Sequence, residues 1–193
     1  MKVILASLSP RRKELMNLII GGFDIEAADI DERAIEDSLA GQDPLTVSEE
    51  LALAKALEVA KSHPGDIVIG ADTSVIANGK ILGKPKDREE AKEMLTELSG
   101  IEHIVATGVA VVRGEDIVRF TEETKVKFWD LDPYMEKKIE EYVDSDDPYD
   151  KAGGYGIQTK GALLVEKIDG DYLNVVGLPV ARLARVLSDM GAV

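Results

Sequence analysis

Two sets of side chains in the 193-residue sequence are suited to chemistry on phosphates. One set offers hydroxyl and cationic donors, which bind phosphate oxygens through charge-assisted hydrogen bonds. The other offers carboxylates, which bind a hard divalent cation or activate water. Phosphoryl chemistry needs both, because cations must cover the phosphate oxygens while carboxylates hold Mg²⁺. The donors are Ser7, Ser9, Arg11, Arg12, Lys55 and Lys84, and the carboxylates are Glu32, Asp72 and Asp150.

Four of the donors surround the start of a predicted helix. The apolar run from Val3 to Ala6 predicts a buried strand, and Pro10 is suited to the first position of a helix. The unpaired backbone N–H groups of a helix N-terminus attract anions, and the neighbouring serines and arginines add donors. The alternative is a capping serine followed by a solvated basic helix face. The sequence leaves both interpretations open.

Lys55 lies in a strongly predicted helix from Pro44 to Ser62, which the capping box Thr46-x-x-Glu49 would begin. The centre of this helix, Leu51 to Ala60, is apolar on most faces, as is typical of a buried helix. An unpaired buried ammonium is strongly unfavourable. Lys55 therefore either reaches solvent with its nitrogen or meets an anion.

The candidate carboxylates follow predicted strands. Asp72 follows the apolar run Asp66 to Ala71, so we expect it at the end of a buried strand, where α/β sheets bind ligands. Glu32 closes an acidic stretch, Asp29 to Glu32, whose alternative interpretation is a solvated loop. Lys84 is expected in a loop, because the proline after it blocks both strand pairing and helix formation.

Strands and helices alternate along the chain, which predicts a mixed α/β domain. No repeat or linker divides the sequence, so we expect one domain over residues 1–193. The other predicted strands are Phe23 to Ala27, the hairpin Ser74 to Leu82, Glu102 to Val112, Ile117 to Phe128 and Ala162 to Ile168. The other predicted helices are Asp87 to Leu98, Pro133 to Val143 and Leu178 to Met190.

Composition and charge indicate which partners and which cellular compartment to expect. The net charge of −14 repels a nucleic-acid backbone, so we expect no nucleic-acid polymer as a partner. No apolar run approaches the length of a membrane span, so no membrane partner is expected. The chain has no cysteine, and Met1-Lys2 leads directly into the first strand. We therefore expect a cytoplasmic protein without disulfides or a signal peptide.

Seven sequence blocks, in order along nearly the whole chain, together resemble the Maf family of nucleotide pyrophosphatases. They are LASLSPRRKEL at 5–15, DIDE at 29–32, LALAKA at 51–56, GADT at 70–73, LGKPKD at 82–87, DKAGGYGIQ at 150–158 and GDYLNVVGLPV at 170–180. No single block is decisive, but their joint occurrence is highly specific.

The resemblance implies an elongated α/β fold related to the inosine triphosphate pyrophosphatases, with a sheet flanked by helices and a cleft between two lobes. It also implies cytoplasmic hydrolysis of a nucleoside triphosphate to the monophosphate and pyrophosphate. The expected cofactor is a divalent cation, Mg²⁺ or Mn²⁺, and the expected partner is the nucleotide itself. The oligomeric state stays open, with a homodimer as one alternative.

The resemblance further implies roles for individual residues. The general base of the family falls on Asp72, which in the alternative helps to hold the metal beside Glu32. Lys55 and Lys84 complete the expected catalytic set. The triphosphate is expected to bind to Ser7, Ser9 and Arg11 together with these two lysines.

Base selectivity is linked in the family to three positions, which are Arg12, Thr73 and Gln158 here. This combination resembles the branch that prefers dTTP and UTP. Thr159-Lys160 stands where the family commonly has a glycine directly after the glutamine, so we expect the pocket wall to differ there. Two alternatives stay open: a nucleotide-binding regulator of cell division with little turnover, and the same chemistry with another base preference, such as 7-methyl-GTP.

Overall fold

The strands of the protein form one mixed sheet, which a computed structural model describes over all 193 residues. Its strands are β1 (Val3–Leu5), β2 (Asp24–Ile25), β3 (Ile67–Ala77), β4 (Lys80–Leu82), β5 (Glu102–Arg113), β6 (Asp116–Phe128) and β7 (Val165–Asp169). Their order is β2-β1-β3-β5-β6-β7, and β4 pairs with β3. β1 is parallel to β2 and β3, whereas the β3–β4 and β6–β7 pairs are antiparallel.

Seven α-helices accompany the sheet, so the predicted mixed α/β class is confirmed. They are α1 (Pro10–Met16), α2 (Glu32–Ser38), α3 (Pro44–Ala60), α4 (Arg88–Leu98), α5 (Pro133–Val143), α6 (Tyr172–Val176) and α7 (Val180–Asp189). Short 3₁₀ turns cover Pro148–Asp150, Ala152–Gly154 and Lys160–Leu164. None of the helices combines the length and the apolar character that crossing a membrane requires.

The chain divides into two compact units. The first consists of Met1–Thr73, Thr107–Glu122 and Gly177–Val193, and the second of Ser74–Ala106 and Glu123–Val176. A core cluster of the first unit packs small and branched side chains of α3 against the strands: Ile4, Ala6, Ala52, Ala56, Val59, Val68, Ala110 and Val112. In the second unit the rings of His103, Phe128 and Tyr155 pack edge to face. The predicted cleft stays a prediction.

Two predicted positions of candidate carboxylates are wrong. Asp72 lies in the middle of β3 rather than at a strand end, because no turn residue separates the buried run before it from the hairpin strand after it. Glu32 lies in the first turn of α2, neither at the end of the second strand nor in the alternative solvated loop. Asp31 caps this helix by accepting a hydrogen bond from the Ala34 amide at 3.0 Å.

One predicted helix cap and one predicted strand boundary also differ. α3 begins at Pro44 with Asp43 as its N-cap, so the predicted Thr46 capping box is wrong; Thr46 Oγ1 instead donates to the carbonyl of Asp43. The last strand begins at Val165 rather than Ala162, because Lys160–Leu164 forms a 3₁₀ turn. The paired antiparallel strands β5 and β6 and the helices α4 and α5 are present as predicted, within a few residues.

Candidate active site

Two glycines allow α3 to lie directly on the sheet in the first unit. A Cβ atom on Gly70 of β3 would lie 2.0 Å from the backbone oxygen of Ala52, and a Cβ on Gly108 of β5 would lie 2.2 Å from the backbone nitrogen of Glu49. Such separations exclude any side chain. The small residues Ala52 and Ala56, both fully buried, complete this close contact. The backbone of α3 therefore runs close enough for Lys55 to reach β3.

Lys55 is buried, and its ammonium lies between two carboxylates. Its Nζ donates to Asp72 Oδ1 at 2.7 Å and lies 3.1 Å from Glu32 Oε1. The side chains of Lys55 and Asp72 are 10% and 16% exposed, whereas that of Glu32 is 52% exposed. Of the two alternatives for Lys55, the structure bears out the anionic partner, and this partner is supplied by the protein.

Negative charge accumulates on one side of this cluster. Burial is the main cause that raises the pKa of Glu36, and repulsion by Asp72 and Glu32 adds to it. Glu36 lies one turn after Glu32 on α2. Glu36 is not among the residues predicted from the sequence, although its four-residue spacing from Glu32 would indicate it once the helix is recognised. The cluster therefore attracts a further cation.

Arg12 is bound on all sides by groups of the first unit. Its Nε donates to the carbonyl of Gly177 at 2.9 Å, and its NH1 donates to the carbonyl of Ala71 at 2.8 Å. Its NH2 donates to Thr73 Oγ1 at 2.9 Å. Burial lowers the pKa of the guanidinium, yet arginine stays charged in proteins. Arg12 therefore fixes the backbone before Asp72 and the hydroxyl after it.

Thr73 and Thr107 form a hydroxyl pair next to this arginine. Their Oγ1 atoms are 3.0 Å apart, and Thr107 is fully buried on β5. Thr73 is half-buried on β3. Thr107 is a site neighbour that sequence reasoning missed, because a threonine inside an apolar strand carries no local signal of function. The pair restricts the direction in which the Thr73 hydroxyl points.

Ser7 and Ser9, the serines of the first sequence block, form hydrogen bonds at the start of helix α1. Ser9 is the N-cap of α1, and its Oγ accepts a hydrogen bond from the Arg12 amide at 3.5 Å. Ser7 Oγ accepts from the Ser9 amide at 3.3 Å and from Arg12 NH1 at 3.4 Å. The capping interpretation of Ser9 is thus confirmed. Arg11 lies half-buried in the first turn of the same helix.

Three other candidates belong to the second unit. Lys84 is exposed in the loop between β4 and α4, as predicted. Gln158 is exposed in a turn that closes with a hydrogen bond from the Thr159 amide to the Gly156 carbonyl at 3.2 Å. Asp150 forms an ion pair with Lys151 at 2.6 Å. The structure thus brings Asp72, Lys55 and Glu32 together, and it brings Arg12, Thr73 and Ser7 together.

The donor set around Lys55 can be compared with the needs of a divalent cation. No group of three or more His, Asp or Glu side chains is arranged to hold a metal ion. Mg²⁺, however, usually binds one or two carboxylates together with substrate phosphates and water. Asp72 and Glu32 already converge on one cation, the Lys55 ammonium. These residues fit a cation that binds with an anionic ligand.

Comparison with known proteins identifies the family of the chain. The family model described as "Maf-like protein" matches residues 2–190. A protein named dTTP/UTP pyrophosphatase from Bacillus cereus is 50% identical over 96% of this chain and 94% of its own length. One of the same name from Bacillus cytotoxicus is 50% identical over 99% and 97%. A HAM1 protein structure from Coxiella burnetii, 17% identical, matches the fold with a TM-score of 0.51 over 98% of this chain and 99% of that one. The chain belongs to the Maf-like protein family.

Proposed function

We propose that the protein is a nucleoside triphosphate pyrophosphatase that hydrolyses dTTP and UTP to the monophosphate and pyrophosphate. The observation that carries the proposal is the buried contact of Lys55 with Asp72, seen in a chain that is half identical to proteins named for this activity. The names of these relatives favour this function over a regulator without turnover. They also favour pyrimidine nucleotides over 7-methyl-GTP.

Asp72 has the chemistry and the placement of a general base. Lys55 holds one carboxylate oxygen, Oδ1, at 2.7 Å and so orients the group. The other oxygen is then directed to accept a proton from a water molecule. That water attacks the α-phosphorus, the bond from this phosphorus to the bridging oxygen breaks, and pyrophosphate leaves with the electron pair.

The cationic side chains would offset the charge of the triphosphate. Lys55 and Arg11 of the first unit supply positive charge, and we assign Lys84 of the second unit to phosphate oxygens as well. Ser7 and Ser9 add hydroxyl groups. Every nucleoside triphosphate carries the same phosphates, so these residues supply affinity rather than base discrimination. Discrimination is assigned to Thr73 and Gln158, with Arg12 holding Thr73 in place.

In the alternative role of Asp72, as a metal ligand rather than the base, a divalent cation, Mg²⁺ or Mn²⁺, fits Asp72 and Glu32. When bound, it neutralises charge on the phosphate oxygens and makes the phosphorus more electrophilic. The two carboxylates would each contribute an oxygen, and the triphosphate would contribute others. Glu36, one turn further along α2, adds negative charge that favours the cation.

The test is a pyrophosphate-release screen of the purified protein over dTTP, UTP, dCTP, dGTP, dATP, ATP and 7-methyl-GTP. Each nucleotide is incubated with Mg²⁺, with Mn²⁺ or with EDTA, and the nucleoside products are separated. We expect dTMP and UMP to form in equal amounts with pyrophosphate, and EDTA to abolish the reaction. Release of inorganic phosphate with a diphosphate product, or the absence of any turnover, would contradict the proposal.

A further inference from the structure

Asp147 is the centre of a hydrogen-bond cluster in the second unit. Its Oδ2 accepts hydrogen bonds from Thr159 Oγ1 at 2.5 Å and from the hydroxyl of Tyr142. Its Oδ1 accepts from Lys151 Nζ at 3.0 Å. We call these four residues, Tyr142, Asp147, Lys151 and Thr159, the Asp147 cluster. Both oxygens of one carboxylate are thus occupied by donors from three side chains.

The Asp147 cluster holds both ends of the turn that carries Gln158. The turn runs from Gly156 to Thr159 and has Gln158 at its third position. At its first residue, the amide of Gly156 donates to Tyr142 Oη at 2.9 Å, and this hydroxyl donates to Asp147. At its last residue, the Thr159 hydroxyl lies 2.5 Å from Asp147 Oδ2 and 2.9 Å from the Gly156 carbonyl oxygen, and its single proton goes to the closer, charged Asp147. One carboxylate therefore anchors the turn at two points.

Lys151 is fully engaged inside the cluster. Its ammonium donates to the Asp147 carbonyl at 2.6 Å, to Asp147 Oδ1 at 3.0 Å and to Asp150 Oδ1 at 2.6 Å, which uses all three of its protons. Its stem passes against the turn so closely that a Cβ on Gly156 would lie 2.7 Å from Lys151 Cε. The cluster is therefore packed as well as hydrogen-bonded.

The charge of Asp147 suits this role. Burial acts to raise its pKa, but hydrogen bonds from Thr159, Tyr142 and Lys151 outweigh burial and lower it. Burial raises the pKa of Tyr142, which keeps its hydroxyl a donor at neutral pH. Hydrogen bonds to an ionised acceptor are about twice as strong as neutral ones. The hydrogen bonds from Tyr142 and Thr159 to Asp147, which hold the turn, are therefore of this stronger, charge-assisted kind.

We propose that Tyr142, Asp147 and Thr159 are positioning residues that fix the backbone of Gln158 for base selection, an inference that rests on the proposed function. The Gln158 side chain is exposed and makes no hydrogen bond of its own. The backbone of the turn alone therefore determines the position from which its side-chain amide projects. Discrimination by hydrogen bonding requires that the wrong base leaves groups unpaired, and a displaced amide weakens this penalty. A fixed turn also lowers the entropy lost on binding.

The experiment compares Thr159→Val with Thr159→Ser, which restores the hydroxyl. Thr96→Val is the matched control, because Thr96 is exposed on α4 and its side chain makes no hydrogen bond. For each variant kcat/KM is measured with dTTP and with dGTP, together with the melting temperature. We expect Thr159→Val to lower the dTTP-to-dGTP ratio by about threefold or more. Thr159→Ser and Thr96→Val should keep the ratio within about twofold of wild type.

A second variant separates positioning from direct contact with the base. Tyr142 is 2% exposed, so it cannot touch a nucleotide, and Tyr142→Phe removes its hydrogen bonds to Asp147 and Gly156. We expect Tyr142→Phe to lower the ratio as well, and amide exchange in residues 156–159 to accelerate in both Tyr142→Phe and Thr159→Val. Both kcat/KM values falling equally, with the ratio unchanged, would overturn the inference.

The outcomes distinguish this inference from the function on which it rests. If wild type discriminates between dTTP and dGTP and Thr159→Val discriminates equally well, the positioning role is wrong while the proposed function stands. Failure of Thr159→Ser to restore the ratio would also overturn the role of the hydroxyl. If wild type releases no pyrophosphate from any nucleotide, both proposals fall together.

Discussion

The ammonium of Lys55 and the carboxylate of Asp72 lie 2.7 Å apart and join helix α3 to the middle of strand β3. Both side chains are largely buried, so each depends on the other for compensation of its charge. The contact exists because Gly70 and two alanines allow the helix backbone to touch the strand. In the proposed function, the placement of the catalytic pair and the packing of the core are therefore the same structural feature.

Removal of the Lys55 charge should destabilise the fold. In Lys55→Met the stem is retained, but Asp72 stays largely buried without a cation and faces Glu32 and Glu36. We expect a loss of about 3 kcal/mol in the free energy of unfolding, the lower end of what breaking a buried pair costs. Urea denaturation at pH 7 measures it.

The matched control for this variant is Lys61→Met. Lys61 is 70% exposed and pairs with Glu58 three residues earlier. Exposed pairs contribute less than about 1 kcal/mol, so this variant should unfold close to wild type. Equal losses in the two variants would show that the burial of the Lys55 pair does not matter energetically.

Gly70→Ala should disrupt the contact between helix and strand. The added methyl group would meet the Ala52 backbone oxygen at 2.0 Å, and backbone cannot rotate away as a side chain can. We expect a loss of about 3 kcal/mol in stability, at the upper end of overpacking effects, and a loss of turnover as Lys55 moves from Asp72. Gly22→Ala is the control, because its Cβ would meet nothing within 4 Å. Wild-type stability in Gly70→Ala would contradict the close packing.

The elements with regular hydrophobic patterns were predictable from the sequence. The apolar strand β1, the long helix α3 and the antiparallel strands β5 and β6 follow from their patterns and from clear turn residues. The short helix α2 was not, because its exposed acidic residues resemble a solvated loop and it buries no residue fully. Residues 162–164 of the 3₁₀ turn Lys160–Leu164 fall in the predicted strand, because three apolar residues are too few to distinguish a turn from a strand.

Some residues of the candidate site, such as Lys55, Asp72 and Arg12, could be selected from the sequence, whereas Glu36, Thr107 and the contacts between the residues could not. Lys55 and Asp72 were selected as separate candidates, one for phosphate and one for the base, and their ion pair depends on a helix-to-strand approach that no local pattern shows. The same holds for Arg12, whose acceptors include the carbonyl of Gly177, 165 residues away. A hydrogen bond to a distant backbone carbonyl does not depend on the type of the accepting residue. Such a contact therefore cannot be predicted from the sequence and becomes visible only in the tertiary structure.

The buried His103 should make stability depend on pH. Burial lowers its pKa to about 4 from an ordinary value of 6.5. Between these two pH values the unfolded chain binds a proton that the folded chain does not. The contribution of His103 to the free energy of unfolding is therefore complete above about pH 6.5 and is lost as the pH falls towards 4. This pKa shift corresponds to about 3 kcal/mol in the free energy of unfolding.

His103→Phe removes this titration and keeps an aromatic ring beside Phe128 and Tyr155. Urea denaturation at several pH values between 4 and 7 should therefore show a shallower decline for His103→Phe than for wild type. Parallel declines in the two proteins would mean that His103 has the same pKa in the folded and in the unfolded chain, which would contradict this prediction.

Affinity and selectivity should separate between two exposed residues of the second unit. Lys84→Ala removes a charge that we assign to the phosphates, so kcat/KM should fall for dTTP and dGTP alike. Gln158→Ala removes an amide that both donates and accepts, so the dTTP-to-dGTP ratio should fall. Steady-state kinetics of both variants with both nucleotides tests this. A changed ratio in Lys84→Ala with an unchanged ratio in Gln158→Ala would reverse the assignment.

The most direct test of the account is the rate of pyrophosphate release from dTTP by Asp72→Asn. The amide has nearly the shape of the carboxylate and still meets Lys55, but it cannot take a proton from water, and loss of a general base lowers rates by about 10²–10⁴-fold. We expect Asp72→Asn to stay folded, because Glu32 still pairs with Lys55, and to bind dTTP, with turnover below about a hundredth of wild type. Turnover above about a tenth of wild type would contradict the assignment of Asp72 as the base.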